Sequence, residues 1–308
     1  MTEGPGGGER GGRGPGGGRP GKGRGPGKGR GPGKGRGSAK GRGPARGSAK
    51  GRGAAKPRRT QVPVARPPAR PRGPRPVVAV FAKAPVAGQV KTRLIPALRP
   101  EEAADLYRAL LVDTIEVVEA ADARVTVAFT PATGRRHLER LLGARRQLVL
   151  QPPGDLGARL EGVLGMLRER GGTRVLVVGS DCPGLTSERV REAYRALENA
   201  PVVLGPALDG GFYLLGVSLS AAGLLRDIPW STGRELEATR KRLVERGLTV
   251  RELPAERDLD TPRDLFEWYA GARSAGLETA YPRTWKILHS LMTPRRFADL
   301  EGRLAESP

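Results

Sequence analysis

Two apolar runs each end by delivering one aspartate into a Gly/Pro turn. Val175-Leu176-Val177-Val178 leads into Gly179-Ser180-Asp181-Cys182-Pro183. About thirty residues later, Val202-Val203-Leu204 leads into Gly205-Pro206-Ala207-Leu208-Asp209-Gly210-Gly211-Phe212-Tyr213. Each run reads as a buried strand. Open α/β sheets place their ligands beyond the carboxyl ends of such strands. Carboxylates converging there are hard oxygen ligands. They suit a magnesium or manganese ion that carries a nucleotide diphosphate.

The spacing of apolar residues predicts strands at 77–81, 125–129, 147–150, 175–178, 202–204, 212–216 and 249–253. It predicts helices at 101–121, 133–142, 156–170, 187–198 and 234–246, and one starting at Pro262. In the first helix Leu106, Leu110, Ile115 and Val118 recur at helical spacing. Strands alternating with helices of this length imply an α/β fold, with a mostly parallel sheet covered by helices on both faces. Residues 77–270 form one domain on this reading. Residues 271–308, with Trp285-Lys286-Ile287-Leu288 and Leu291-Met292, form a helical appendage docked on it.

The charge is unevenly placed. Of 54 Lys+Arg and 32 Asp+Glu, residues 1–76 hold 21 and two, so the remainder carries a net charge of only +3. The sequence pI of about 11.2 therefore describes the N-terminal segment and not the domain. That segment repeats Gly-Pro-Gly-Lys-Gly-Arg at 25–30 and 31–36, then varies it at 37–42. It lacks apolar periodicity until about Val62, so it is expected to be disordered. It has no aromatic platform for bases, and its expected partner is nucleic acid, bound weakly and without sequence preference through counterion release. No apolar stretch resembles a signal-peptide core or a membrane span. The single cysteine, Cys182, fits a reducing cytoplasm.

The loop after the first strand, Lys83-Ala84-Pro85-Val86-Ala87-Gly88-Gln89-Val90-Lys91-Thr92-Arg93, places three cations within eleven positions. Gly88 shapes the turn. Lys83, Lys91 and Arg93, with Thr92 and nearby backbone N–H groups, are candidates to hold phosphates. The loop is not a Walker A motif. Gly154-Asp155-Leu156-Gly157 opens a helix. Asp155 is placed to cap it, and Gly157 is expected to let a base or ribose approach. In Asp258-Leu259-Asp260-Thr261-Pro262-Arg263-Asp264, Thr261 reads as a helix cap with Pro262 and Asp264 in the first turn. That leaves Asp258 and Asp260 without a structural duty. Cys182 reads as a packing residue, since a nucleophilic thiol would need a histidine partner. The only histidines are His137 and His289.

The Lys-Ala-Pro-x-x-Gly-x-x-Lys-Thr-Arg-Leu loop, Gly-Asp-Leu-Gly, Gly-Ser-Asp-Cys-Pro, Asp-Gly-Gly-Phe-Tyr-Leu-Leu-Gly and Asp-x-Asp-Thr-Pro occur in order over about 77–270. Together they resemble the DUF2064 family of glycosyltransferase-like, nucleotide-diphospho-sugar transferase-like proteins, some linked to arsenosugar biosynthesis. The resemblance implies a GT-A fold and a Mg²⁺- or Mn²⁺-dependent transferase acting on a nucleotide or nucleotide-sugar donor and a small-molecule acceptor. It places Asp181 and Asp260 at metal-binding positions. Asp181 and Asp209 would be catalytic, Lys83, Gly88, Lys91, Thr92, Arg93, Gly154, Asp155 and Gly157 would bind the nucleotide, and Gly210, Gly211 and Tyr213 would face the acceptor. Ala87 stands where the family pattern has proline. Two alternatives remain open: a nucleotidyltransferase of the phospholactate guanylyltransferase type, and a non-catalytic polyanion-binding protein.

Overall fold

A computed structural model describes residues 75–306 other than 96, 219 and 221, with the side chains of 272–275 and 277 left aside. The disordered, polyanion-attracting segment expected over 1–76 lies outside the described residues, apart from Arg75 and Pro76.

The chain begins with β1 (Val77–Lys83), α1 (Pro100–Ala120), β2 (Arg124–Thr130), α2 (Arg135–Leu142), β3 (Gln147–Leu150), α3 (Leu156–Glu169) and β4 (Val175–Val178). It continues with α4 (Ser187–Ala196), β5 (Val202–Pro206), β6 (Phe212–Val217), α5 (Glu235–Glu245), β7 (Val250–Glu252) and α6 (Pro262–Ala275). Three helices close it: α7 (Leu277–Ala280), α8 (Pro282–Leu291) and α9 (Pro294–Ala305). The strands form one sheet in the order β3-β2-β1-β4-β6-β5-β7. Neighbours run parallel except β6, which is antiparallel to both β4 and β5. The expected α/β class and the mostly parallel sheet are both present.

Continuous apolar runs form the central strands because helices cover both faces. On β1, Val78 and Val80 pack with Leu106, Leu110 and Ile115 of α1 and Val190 of α4. Val77 and Ala79 point the other way, to Leu160, Val163 and Leu164 of α3 and Leu236 and Leu243 of α5. The helix starts follow the local signals. The Asp155 side chain accepts from Ala158 N at 2.8 Å. Thr186 caps α4 by accepting from Arg189 N at 3.1 Å. At α6, Thr261 Oγ1 accepts from Asp264 N (3.2 Å) while Asp264 Oδ2 accepts from Thr261 N (2.8 Å), a reciprocal cap.

The C-terminal helices are bound closely to the rest of the core. Helix α6 runs through residue 270 without a break. Tyr281, Leu288, Met292 and Leu300 join the same apolar cluster as β1 and α1. Asp113 on α1 is fully buried. It accepts from Thr284 N (2.7 Å), Thr284 Oγ1 (2.8 Å) and Arg283 Nη1 (3.0 Å). Among the described residues, no helix is long and apolar enough to cross a membrane.

Candidate active site

A cavity of about 410 Å³ opens at the carboxyl ends of β1 and β4, beside the start of β6. Phe81, Val177, Leu156, Leu160, Phe212 and Leu215 give it apolar walls. Lys83, Lys91, Thr92, Arg93, Arg159, Asp181 and Asp260 bring charge and hydroxyl to it. Flat apolar walls with a few converging polar groups are the usual make-up of a small-molecule site.

At its floor the Lys91 ammonium lies 3.1 Å from Asp181 Oδ2 and 2.5 Å from Asp260 Oδ1. The Lys91 side chain is only 4% exposed, while each aspartate keeps about a third of its surface open. Burial alone would lower the pKa of this lysine. The carboxylates of Asp181 and Asp260 outweigh burial and hold its pKa above the ordinary value. Burial acts on Asp260 too, but Lys91 and then Arg93 prevail and keep its carboxyl below the usual range. Arg93 Nη1 stands 3.8 Å from Asp260 and is itself largely exposed. Lys91 sits in left-handed backbone, φ 48°. A side chain there costs of order 1–3 kcal/mol, and such strain gathers at functional sites. Lys91, a candidate phosphate ligand by sequence, here has its ammonium between the two carboxylates. Two converging carboxylates in a partly dry site need a counter-cation, and Lys91 supplies it.

The loop around Asp181 is held from several sides. Leu259 N donates to Asp181 O at 2.8 Å, so the strand-end loop and the Asp258–Asp260 segment are joined through backbone. Ser180 Oγ pairs with Tyr107 Oη at 3.0 Å, and Lys83 N donates to the same phenol at 2.9 Å. Tyr107 is buried in α1, and burial raises its pKa, so it stays a neutral phenol.

Across Asp260 and Arg93 lies a smaller cavity of about 130 Å³, also lined by Leu208, Asp209, Arg257, Asp258, Thr261 and Asp264. Burial first, then the charges of Asp181 and Asp209, push the Asp258 carboxyl up to about 8. Its Oδ1 is buried without a hydrogen-bond partner among the described residues.

Lys83, Lys91, Thr92, Arg93, Asp181 and Asp260 thus meet at the larger cavity, and Asp209 reaches the smaller one. Gly88, Gly154, Asp155, Gly157, Gly210 and Gly211 line neither. Gly88 sits in an exposed turn at φ 75°. Asp155 is used as a helix cap. At Gly157 the expected room for a base or ribose is filled by protein. A Cβ there would fall 2.8 Å from both Leu225 O and Trp230 Nε1, so this glycine admits a loop. Gly210 has φ +91°, and a Cβ on it would overlap the Gly233 carbonyl. Gly211 N donates to Asp209 Oδ1 at 3.0 Å. Tyr213 borders the larger cavity, but its hydroxyl donates to Pro254 O (3.2 Å) and its ring lies against Gly205. It thus lines the cavity with a hydroxyl that is already engaged by backbone. Cys182 is buried, and burial pushes its thiol well up, away from nucleophilic use. Sequence reasoning missed Tyr107, Ser180, Gln151 and Arg159. Ser180 lies in the Gly-Ser-Asp-Cys-Pro motif without a role assigned to it, and Tyr107, Gln151 and Arg159 belong to no local pattern, because each reaches the cavity from a different element.

Among the described residues, no group of three or more His, Cys, Asp or Glu is arranged to hold a metal ion. Asp181 and Asp260 supply two hard oxygen donors reached by one shared cation, the lysine nitrogen. Magnesium is commonly held by one or two carboxylates and completed by substrate phosphates and water. The pair fits that half-site, provided Lys91 yields its place.

The fold is that of the nucleotide-diphospho-sugar transferases, as the sequence implied. It matches a protein from Desulfovibrio desulfuricans G20, provisionally described as a nucleotide-diphospho-sugar transferase, with a TM-score of 0.68 and 27% identity over 73% of this chain and 97% of that one. A nucleotidyl transferase from Methanothermobacter (TM-score 0.44, 22% identity, 66% of this chain and 98% of that one) is more distant. So is a cytidylyltransferase from Leptospira borgpetersenii (0.45, 14%, 70% and 97%). The sequence profile of DUF2064, described as uncharacterized protein conserved in bacteria, matches residues 112–232. The resemblance to that family is borne out over this segment, which carries Asp181 and Asp209. No curated protein matches the chain.

Proposed function

We propose that this chain is a nucleotide-dependent transferase, with the 410 Å³ cavity as the donor site. One observation carries the reading: Asp181 and Asp260, from separate segments, converge on a single cation at the floor of that cavity. Lys83 and Arg93 flank the same floor and would bind the diphosphate oxygens through charge-assisted hydrogen bonds. Phe81, Leu156, Leu160 and Phe212 would bury the base and ribose. Asp181 and Asp260 would hold Mg²⁺ or Mn²⁺, which when bound neutralises charge on a leaving diphosphate. Lys91 would keep the two carboxylates together before substrate arrives, then turn to the phosphates. Asp209 lines the neighbouring small cavity and would meet the acceptor. The likeness to the D. desulfuricans protein supports a nucleotide-sugar donor.

Isothermal titration of nucleoside diphosphates and nucleotide-sugars, with and without Mg²⁺ or Mn²⁺, tests the reading. Metal-dependent binding that Asp181→Asn removes is the expected result. Metal-independent affinity unchanged in that variant would overturn it. The product then separates the chemistries: free nucleoside diphosphate marks sugar transfer, pyrophosphate marks nucleotidyl transfer.

A further inference from the structure

Asp181 sits in the loop between β4 and α4, and its neighbours on both sides are tied to other elements. Toward β4, Ser180 Oγ pairs with Tyr107 Oη (3.0 Å) on α1. Toward α4, the chain turns tightly, with Leu185 N donating to Cys182 O at 3.1 Å. Both carbonyls at the ends of that turn, Cys182 O and Leu185 O, lie 3.1 Å from the Tyr281 hydroxyl. Tyr281 is fully buried and arrives from about a hundred residues further on, just before α8. One phenolic proton is thus shared between two backbone acceptors next to the aspartate.

The support behind Tyr281 is rigid. Three residues along, Thr284 is also fully buried and donates through N and Oγ1 to Asp113. Arg283 reaches Asp113 and Glu116 of the same helix. Helix α1, which carries Tyr107, is therefore also the anchor for the segment that carries Tyr281. The two phenols grip the Asp181 loop from opposite flanks of one scaffold.

We infer that Tyr281 is a positioning residue for Asp181: its hydroxyl fixes the Cys182–Leu185 turn and so sets where the carboxylate meets Lys91 and Asp260. The inference rests on the proposed role of Asp181 for its functional consequence, but not for the structural tie. A merely structural residue would lower stability without disturbing this loop more than others. Tyr281 is placed to do more, because deleting its oxygen takes the partner of Leu185 O and leaves Cys182 O held only by Leu185 N, within four residues of the carboxylate.

The test pairs Tyr281→Phe with Thr284→Val. Each deletes one fully buried hydroxyl from the same segment, and only the first faces the Asp181 loop. Hydrogen exchange of residues 179–185 is measured in both variants, well below their unfolding midpoints. Manganese-dependent affinity is measured with whichever of ADP, GDP, CDP or UDP the wild type binds most tightly. Tyr281→Phe should speed exchange across 179–185 and weaken affinity about fivefold, the scale of one lost hydrogen bond. Thr284→Val keeps the Thr284 N and Arg283 bonds to Asp113, so it should lower the melting temperature comparably, leave exchange at 179–185 unchanged, and alter affinity less than about twofold. Unchanged exchange in Tyr281→Phe overturns the inference. So does faster exchange with unchanged affinity in a protein where Asp181→Asn abolishes binding. If Asp181→Asn itself leaves binding intact, the proposed function has failed, and the exchange data alone decide whether Tyr281 holds the loop.

Discussion

The ends of β4 and β5 look alike in sequence and are built differently. Each is an apolar run, a Gly/Pro turn and one aspartate. At the end of β4 the chain crosses to a helix, and Asp181 is fixed by Lys91, by Leu259 N on its own carbonyl and by the ties on Ser180 and Cys182. At the end of β5 the chain doubles back at once into β6. Ala207 N bonds Gly211 O, Gly210 N bonds Ala207 O, and Asp209 spends one oxygen on Gly211 N. The hairpin closes on itself through these bonds and adds backbone ties from Leu208 N to Glu256 O and from Leu236 N to Gly210 O, whereas the crossover loop is held by side chains of distant residues. The contrast shows that topology, more than local sequence, decides which aspartate becomes part of a charged centre.

The strongest way to break the contrast is to remove the cation. Lys91→Met should leave Asp181 and Asp260 facing each other with only the exposed Arg93 as a cation beside Asp260. Breaking a buried ion pair costs about 3–5 kcal/mol. The open third of each carboxylate reduces that to about 2–3 kcal/mol here. Urea unfolding at neutral pH measures it, and a loss under about 0.5 kcal/mol would show that water serves the carboxylates as well. Asp181→Asn comes next. It should keep the fold, since Asn is nearly isosteric, and remove metal-dependent nucleotide binding, a loss of about 100-fold or more, because a neutral amide is a poor ligand for a hard dication. Calorimetry that finds affinity within a factor of about two would sink the metal assignment.

A third measurement sharpens the comparison through pH. Asp258 lies between the two ends, and its carboxyl is raised from 3.8 to about 8, with burial as the first cause. The folded state therefore holds a proton that the unfolded chain has already released, so stability falls as pH rises from about 4 to 8. Asp258→Asn carries no such proton. Its melting temperature should match wild type near pH 4 and exceed it by several degrees at pH 9. Parallel melting curves across that range would count against a neutral Asp258. The smallest effect belongs to the hairpin. Asp209→Ala should cost only about 0.5–1 kcal/mol, one exposed turn hydrogen bond. It should leave donor affinity within about twofold while slowing transfer to the acceptor. Equal loss of donor binding in Asp209→Ala and Asp181→Asn would erase the distinction between the two strand ends.

The strands and helices from Val77 to Pro262 were legible because burial on both sheet faces writes itself as unbroken apolar runs, and the caps at Asp155, Thr186 and Thr261 mark helix starts. The antiparallel insertion of β6 was not legible, since alternation of strands and helices carries no pairing order. The site was half legible. Asp181 and Arg93 announce themselves by position in strand-end loops, and Asp260 by having no capping duty beside Thr261 and by the family resemblance. The direction of the Lys91 side chain depends on two carboxylates 90 and 169 residues away, and no local pattern records that. Gly157 misled for a related reason. A glycine early in a helix signals close approach, but the sequence does not say that the neighbour is Trp230 rather than a ligand. Tyr281 gave no sign either, because its partners are backbone carbonyls of a loop far upstream.

The sheet is bounded by β3 and β7, strands of four and three residues. Arg135 of α2 reaches the Leu148 carbonyl at 3.5 Å on the first. The second exposes Arg251 and Glu252, the latter bound by Arg240. Short borders carrying charge offer little template for a foreign strand. Among the described strands, such borders disfavour the edge-to-edge pairing from which fibres grow.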